Sequence, residues 1–232
     1  MDTDNLSVTL ADTAAVLFDF DGPICDVFAG RPADQVARNL VALAARREPA
    51  LCGKLSSTDD PLEVLRLTHQ ADTGIGLQVE RALTAVEVEA VEVAGDPTPG
   101  AAAALQAVWA TGRKIAVVSN NSAECVRAFL FRHGLTGHVL EVVGRPEGHP
   151  ELMKPNPHSL IAAAELLGVD ITRCTLIGDS LTDIQAAHAV GSTAIGYANK
   201  EHKRRVFAQA GADAITESMQ TIADAISTQP SR

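Results

Sequence analysis

Two acids two residues apart close the apolar segment Ala14-Ala15-Val16-Leu17-Phe18-Asp19-Phe20-Asp21-Gly22-Pro23. A short apolar run of this kind reads as a buried β-strand. In an open α/β sheet, ligands bind beyond the carboxyl ends of the strands, which is where Asp19 and Asp21 would stand. Two neighbouring carboxylates either raise one pKa strongly or hold a cation. Gly22 supplies the backbone freedom for a turn that swings the second carboxylate away from the first. On its own the segment serves equally well as a strand-end turn. Three later stretches carry groups that could join it. Val117-Val118-Ser119 is an apolar strand ending in a hydroxyl, followed by Asn120 and Asn121. Lys154 sits in Met153-Lys154-Pro155-Asn156-Pro157, ahead of a helical pattern. Leu176-Ile177-Gly178-Asp179 ends a third strand, with Asp183 four residues on. Singly, a strand-end serine is a common helix cap, and a lysine before proline is a common solvated loop residue.

Strands at about 14–19, 114–118, 139–143, 174–178 and 192–196 alternate with helices at about 123–133, 157–167, 182–190, 200–210 and 218–227. Alternation predicts a parallel sheet covered by helices on both faces, an α/β doubly wound fold. Thr98 is expected to cap the helix that runs to Thr111-Gly112. Between the first two strands, residues 33–94 read as helices only. Val36, Leu40 and Val41 recur at helical period, and Arg46-Arg47 suit a helix C-terminus. Asp60-Pro61-Leu62-Glu63 signals a second start, with Asp60 as cap and Glu63 completing a capping box. A third helix over 75–94 is expected to keep its glutamates in solvent. About seventy residues exceed what a strand crossover needs, so the chain divides into a core, 1–25 with 96–232, and an inserted helical cap, 26–95. Residues 1–12 read as polar and frayed, and Gln229-Pro230-Ser231-Arg232 as a loose tail.

A chain of 232 residues that is 46% hydrophobic can bury a substantial core. Its formal charge of −10 argues against nucleic acid, which needs a basic surface. Four cysteines, at 25, 52, 125 and 174, lack metal-binding spacing and suit a reducing compartment. The first residues lack the apolar run of a signal peptide, and no segment approaches the ~20 apolar residues of a membrane span. The expectation is a soluble cytoplasmic protein, monomer or homodimer, without a membrane or nucleic-acid partner.

In their order along the chain, Asp19-Phe20-Asp21-Gly22, Ser119, Lys154 and Gly178-Asp179-Ser180-Leu181-Thr182-Asp183 resemble the four motifs of the haloacid dehalogenase-like hydrolase superfamily. The resemblance implies a Rossmann-like core and an aspartyl-phosphate chemistry on a small phosphorylated metabolite. Asp19 would be the nucleophile and Asp21 the general acid and base, which separates this chain from dehalogenases lacking that acid. Mg²⁺ would be held by Asp19, Asp179 and the backbone carbonyl of Asp21, with Asp183 coordinating directly or holding the water shell. Ser119 and the Asn120 amide would meet a phosphoryl oxygen, and Lys154 would offset charge. Pro23 departs from the threonine common in such phosphatases and removes a backbone donor. The insertion resembles the cap of phosphoglycolate phosphatase-like and β-phosphoglucomutase-like enzymes. Its Arg31, Lys54, Arg66 and His69 are candidates to meet the rest of the substrate, as are Arg145, Asn199 and Lys200 on later loops. A Mg²⁺-dependent phosphatase is the first expectation, a β-phosphoglucomutase-like phosphotransferase the second, and a catalytically silent binding protein the third.

Overall fold

A computed structural model describes residues 2–228, so the expected tail at 229–232 lies outside the described residues. Six parallel strands form one sheet in the order β3-β2-β1-β4-β5-β6. They are β1 (Ala15–Phe18), β2 (Lys114–Val118), β3 (Glu141–Val143), β4 (Cys174–Gly178), β5 (Thr193–Tyr197) and β6 (Ala214–Thr216). Side chains alternate between faces along a strand, and both faces here are apolar. Val16 and Phe18 join one core with Ile115, Val117 and Ile177, under α1 (Asp2–Leu10), α6 (Ala101–Ala110), α7 (Ala123–Arg132) and α11 (Met219–Ser227). Ala15 and Leu17 join the opposite core with Ala116, Val118 and Leu176, under α8 (His158–Leu167), α9 (Leu181–His188) and α10 (Glu201–Gln209). The fold is therefore an α/β doubly wound parallel sheet.

Strand order reverses beside β1, which pairs with β2 on one side and β4 on the other. At such a reversal the crossovers leave in opposite directions and open a crevice at the carboxyl ends. Asp19, Ser119 and Asp179 each follow directly on a strand that borders or forms this crevice.

Between β1 and β2 the chain forms α2 (Ala33–Arg47), α3 (Leu51–Leu55), α4 (Pro61–Ala71) and α5 (Thr73–Val93). Val36, Leu40, Leu55, Val64, Leu65, Val79 and Leu83 give them a core of their own. Asp60 caps α4 as expected, its Oδ1 accepting the Leu62 N–H at 2.9 Å. Glu63 does not complete a capping box; it reaches forward to Arg66 at 3.6 Å.

Other expectations fail for local reasons. Residues 2–10 form a helix, because Leu6 and Leu10, one turn apart, are both fully buried in the sheet core. Thr98 does not cap α6. Its hydroxyl donates to the Gly22 carbonyl at 2.7 Å, and Gly100, at φ 86°, occupies the cap position. The third inserted helix does not leave all its glutamates in solvent: Glu80 and Glu87 are buried. The short helix α3 and the edge strand β6 are additional to the expected elements.

Candidate active site

The loop after β1 starts from a backbone that is still paired. Asp19 N–H donates to Ile177 O at 2.8 Å, which continues the β1–β4 ladder and fixes where the Asp19 side chain emerges. The chain then turns at Gly22, whose φ of 94° suits glycine. A Cβ at Gly22 would stand 2.4 Å from the Asp179 carboxylate carbon, so the missing side chain also lets the two loops approach. Gly178 does the same for Asp183, where a Cβ would meet the carboxylate carbon at 2.3 Å. Asp183 is then held by a capping box at the start of α9: Ser180 Oγ and N–H donate to its Oδ2 at 2.7 and 3.0 Å.

These turns bring Asp19, Asp179 and Asp183 together, with one carboxylate oxygen from each lying within 4.8 Å of the others. Asp183 is fully buried and Asp19 nearly so. Lys154, itself buried, sets its Nζ at 2.8 Å from Asp19 Oδ1 and 2.6 Å from Asp183 Oδ1, and donates to Val118 O at 3.1 Å. Burial and the Asp183 charge push the Asp19 carboxyl well above its usual range, and Lys154 opposes them. Burial would lower the Lys154 ammonium, but the charges of Asp183 and Asp19 outweigh it and hold the group above its usual range. Three clustered carboxylates, with Lys154 against Asp19 and Asp183 and Lys203 against Asp179, leave a net negative charge unanswered. Hard oxygen donors at this spacing fit a small divalent cation such as Mg²⁺.

The Asp21 side chain turns away from this trio, as the glycine turn allows, and its Oδ1 accepts the Val27 N–H at 3.0 Å. It faces open cavity space, while protein crowds its other sides. The residue keeps solvent access on the cavity side, and desolvation by the protein around it pushes it up to about 6, against the opposing pull of the Val27 N–H. Ser119 is buried at the end of β2, where its Oγ accepts the Asn121 N–H at 3.1 Å. Asn120 grips the backbone of Lys154 from both sides, accepting its N–H at 2.8 Å and donating to its carbonyl at 3.2 Å.

Asp19, Asp21, Ser119, Asn120, Lys154 and Asp179 line a cavity of about 520 Å³ between the sheet edge and the inserted helices, with Asp183 buried behind them. Arg66 reaches it from α4 and donates to Lys154 O at 3.3 Å. The other inserted candidates are not brought there. Arg31 pairs on the surface with Glu89 at 2.8 Å. His69 packs beside Gly76, and neither of its ring nitrogens has a partner among the described residues. Lys54 is exposed on α3, away from the cavity lining. Lys200 lines a neighbouring cavity of about 410 Å³ that shares Asp21 and Asp179 with the first.

Three polar arrangements were not foreseen. Asn199 Nδ2 and Lys203 Nζ donate to Asp179 Oδ2 at 3.0 and 2.7 Å. Arg145, rather than standing free to meet a ligand, is buried against α5. It donates to Glu87 Oε1 at 2.9 Å, Glu80 Oε1 at 3.3 Å, Thr84 Oγ1 at 3.0 Å and Asn120 O at 3.0 Å. Glu87 also accepts from Asn121 Nδ2 at 3.2 Å and Ser122 N–H at 2.9 Å. The spacing 80, 84, 87 places all three side chains on one helix face, and that was the available signal for a buried polar stripe.

A family model described as haloacid dehalogenase-like hydrolase matches residues 13–191. A phosphoglycolate phosphatase of Neisseria meningitidis is 29% identical over 211 residues, covering 82% of this chain and 83% of its own. One from Rhodospirillum rubrum is 28% identical over 204 residues, covering 76% and 83%. A crystal structure of β-phosphoglucomutase from Clostridium difficile superposes with a TM-score of 0.65 at 16% identity, over 92% of this chain and 97% of that one, which shows a shared fold.

Proposed function

The chain belongs to the haloacid dehalogenase-like hydrolase family, and we propose that it is a Mg²⁺-dependent phosphatase of small phosphate monoesters. The observation that carries this reading is the Asp19–Lys154–Asp183 contact at the end of β1, with Asp179 converging on it. Asp19 is the nucleophile. Its carboxylate attacks phosphorus, the bond to the ester oxygen breaks, and an aspartyl-phosphate forms. Asp21 gives its proton to the departing oxygen. Its raised pKa favours carrying that proton, and such transfer contributes roughly 10²–10⁴-fold. As a carboxylate, Asp21 then takes a proton from water. The resulting oxygen attacks phosphorus and releases Asp19. Ser119 and the Asn120 N–H hold phosphoryl oxygens, and Lys154 balances the charge on Asp19 and phosphate.

Asp19, Asp179 and the Asp21 carbonyl would hold the cation, with Asp183 fixed behind them by Lys154 and Ser180. Bound there, Mg²⁺ supplies charge neutralisation for the phosphoryl oxygens. The inserted helices, residues 26–95, act as a cap over the cavity, and Arg66 is the cap cation that meets the rest of the substrate. Phosphoglycolate and sugar phosphates are the first esters to try, the former because the curated relatives above carry that name.

The test is phosphate release from para-nitrophenyl phosphate and a panel of phosphorylated metabolites, with and without Mg²⁺, in wild type and Asp19→Asn. Activity that disappears with EDTA, returns with Mg²⁺ and is lost in Asp19→Asn is expected. Turnover of Asp19→Asn within about tenfold of wild type, on the scale where tenfold is about 1.4 kcal/mol, excludes Asp19 as nucleophile.

A further inference from the structure

We propose that Lys203, aided by Asn199, makes the cation site select Mg²⁺ over Ca²⁺ by withholding one oxygen of Asp179. The inference rests on the metal reading above and assigns residues that reading does not use. Asp179 Oδ2 is closed in on three sides. Lys203 Nζ stands at 2.7 Å, Asn199 Nδ2 at 3.0 Å, and the Gly22 backbone comes so near that a Cβ there would stand 2.5 Å from this same oxygen. No hydrogen bond reaches Asp179 Oδ1 among the described residues, so that oxygen is the one left for a cation.

The other two carboxylates are restrained in the same manner. Asp19 Oδ1 accepts the Phe20 N–H at 2.7 Å and pairs with Lys154. Asp183 has Ser180 on Oδ2 and Lys154 on Oδ1. A cluster whose carboxylates each have an oxygen already engaged disfavours two-oxygen coordination. Ca²⁺ takes six to eight oxygens and accepts both oxygens of a carboxylate; Mg²⁺ takes six in a tight octahedron and uses one. Asp19 and Asp183 are held by Lys154, which the catalytic chemistry also needs. Asp179 is held by Lys203, which is partly exposed on the first turn of α10 and free of any catalytic role. The restraint on Asp179 can therefore be removed separately.

Lys203 also contributes a positive charge, and deleting it strengthens the binding of any divalent cation. That effect is common to both ions and cancels in the ratio of their dissociation constants, whereas a freed second oxygen favours Ca²⁺ alone.

The experiment measures Kd for Mg²⁺ and Ca²⁺ by competition with Mn²⁺, followed by the electron paramagnetic resonance of free Mn²⁺, with no substrate present. The chains are wild type, Lys203→Met, Lys203→Arg and Asn199→Ala. The ratio Kd(Ca²⁺)/Kd(Mg²⁺) is expected to fall about tenfold in Lys203→Met, the scale of one charge-assisted contact. It falls less in Asn199→Ala and returns towards wild type in Lys203→Arg. An unchanged ratio in Lys203→Met, with both constants shifted equally, overturns the assignment and leaves the metal site intact. Wild type that binds neither Mg²⁺ nor Mn²⁺ overturns the metal reading and this inference with it. Should Lys203→Met lose its cooperative melt, Asn199→Ala decides alone: an unchanged ratio there refutes the restraint on Oδ2.

Discussion

Replacing Arg145 by methionine should cost the protein far more than a surface arginine would. The Arg145 side chain is 1% exposed, and the carboxylates it faces, Glu87 and Glu80, are 0% and 6% exposed. Burial would lower the Arg145 ion, but Glu87 and Glu80 more than compensate and hold it above its usual range. Methionine fills a similar volume and leaves both buried acids without the cation that now bridges them. Removing one partner of a buried ion pair costs about 3–5 kcal/mol. Glu87 keeps its Asn121 and Ser122 donors and Glu80 keeps the Gly148 N–H at 2.8 Å, which holds the estimate to that range. For a domain of this size each kcal/mol shifts Tm by about 2–4 °C, so Tm should drop by roughly 6–20 °C. The loss should depend on pH in a definite sense. Without Arg145 the two buried carboxylates lack a counter-ion and cost least when protonated, so the variant should lose more stability as pH rises. Thermal melts at pH 5 and pH 8 read this directly, and the gap from wild type should be wider at pH 8. Adding Glu80→Gln and Glu87→Gln should recover most of it. Arg145→Met melting within about 2 °C of wild type at pH 8 would refute the argument, since it corresponds to about 1 kcal/mol or less.

Arg66→Ala should change kcat/KM unequally across a panel of phosphate esters, because a lost contact matters only to the substrate that used it. Lys154→Ala should lower every ester by a similar factor; an altered substrate ranking in Lys154→Ala, or an unaltered one in Arg66→Ala, would reverse these assignments. Gly22→Ala should weaken Mg²⁺ binding in the Mn²⁺ competition assay, since φ 94° and the Asp179 carboxylate leave no room for a Cβ; affinity equal to wild type would mean the loop yields. Iodoacetamide at pH 8 should label Cys52 alone in the native protein, read by mass spectrometry. Burial pushes Cys174 up to about 11 and raises Cys25 and Cys125 further, while Cys52 is exposed. Stoichiometric labelling of a buried cysteine would show that the core opens readily.

Most of the residues legible in the sequence follow a buried strand or open a helix; Lys154, on the loop before α8, is legible only from its place in the motif order. Asp19, Ser119 and Asp179 could be picked out because a fully apolar run that stops at a polar group marks both a strand and the carboxyl end at which a crevice opens. Asn199 and Arg145 also follow strands, but nothing local marks which residues Lys203, Asn199 and Arg145 pair with. Their partners lie 24, 20 and 58 residues away, and only the sheet order brings them together. The inserted helices announced themselves through Asp60-Pro61 and the apolar period. Glu80 and Glu87 looked like solvated charges because their buried counter-ion sits on a loop beyond β3.

These long-range pairings set the charge of the acidic cluster at the end of β1. Overall the chain carries a formal −10, a poor starting point for attracting a dianion. Locally the count is different. Asp19, Asp179 and Asp183 contribute three negative charges, and Lys154 and Lys203 two positive ones, so the cluster stands at −1. Arg145 does not offset this, because Glu80 and Glu87 together outweigh its single charge. A cluster at −1 repels a phosphate dianion, and one divalent cation turns it to +1. On the metal reading proposed above, the ion held by the carboxylates would thus also make the cavity attractive to a phosphate ester. Cation and phosphate ester should consequently bind with positive coupling, each raising the affinity for the other by the same factor.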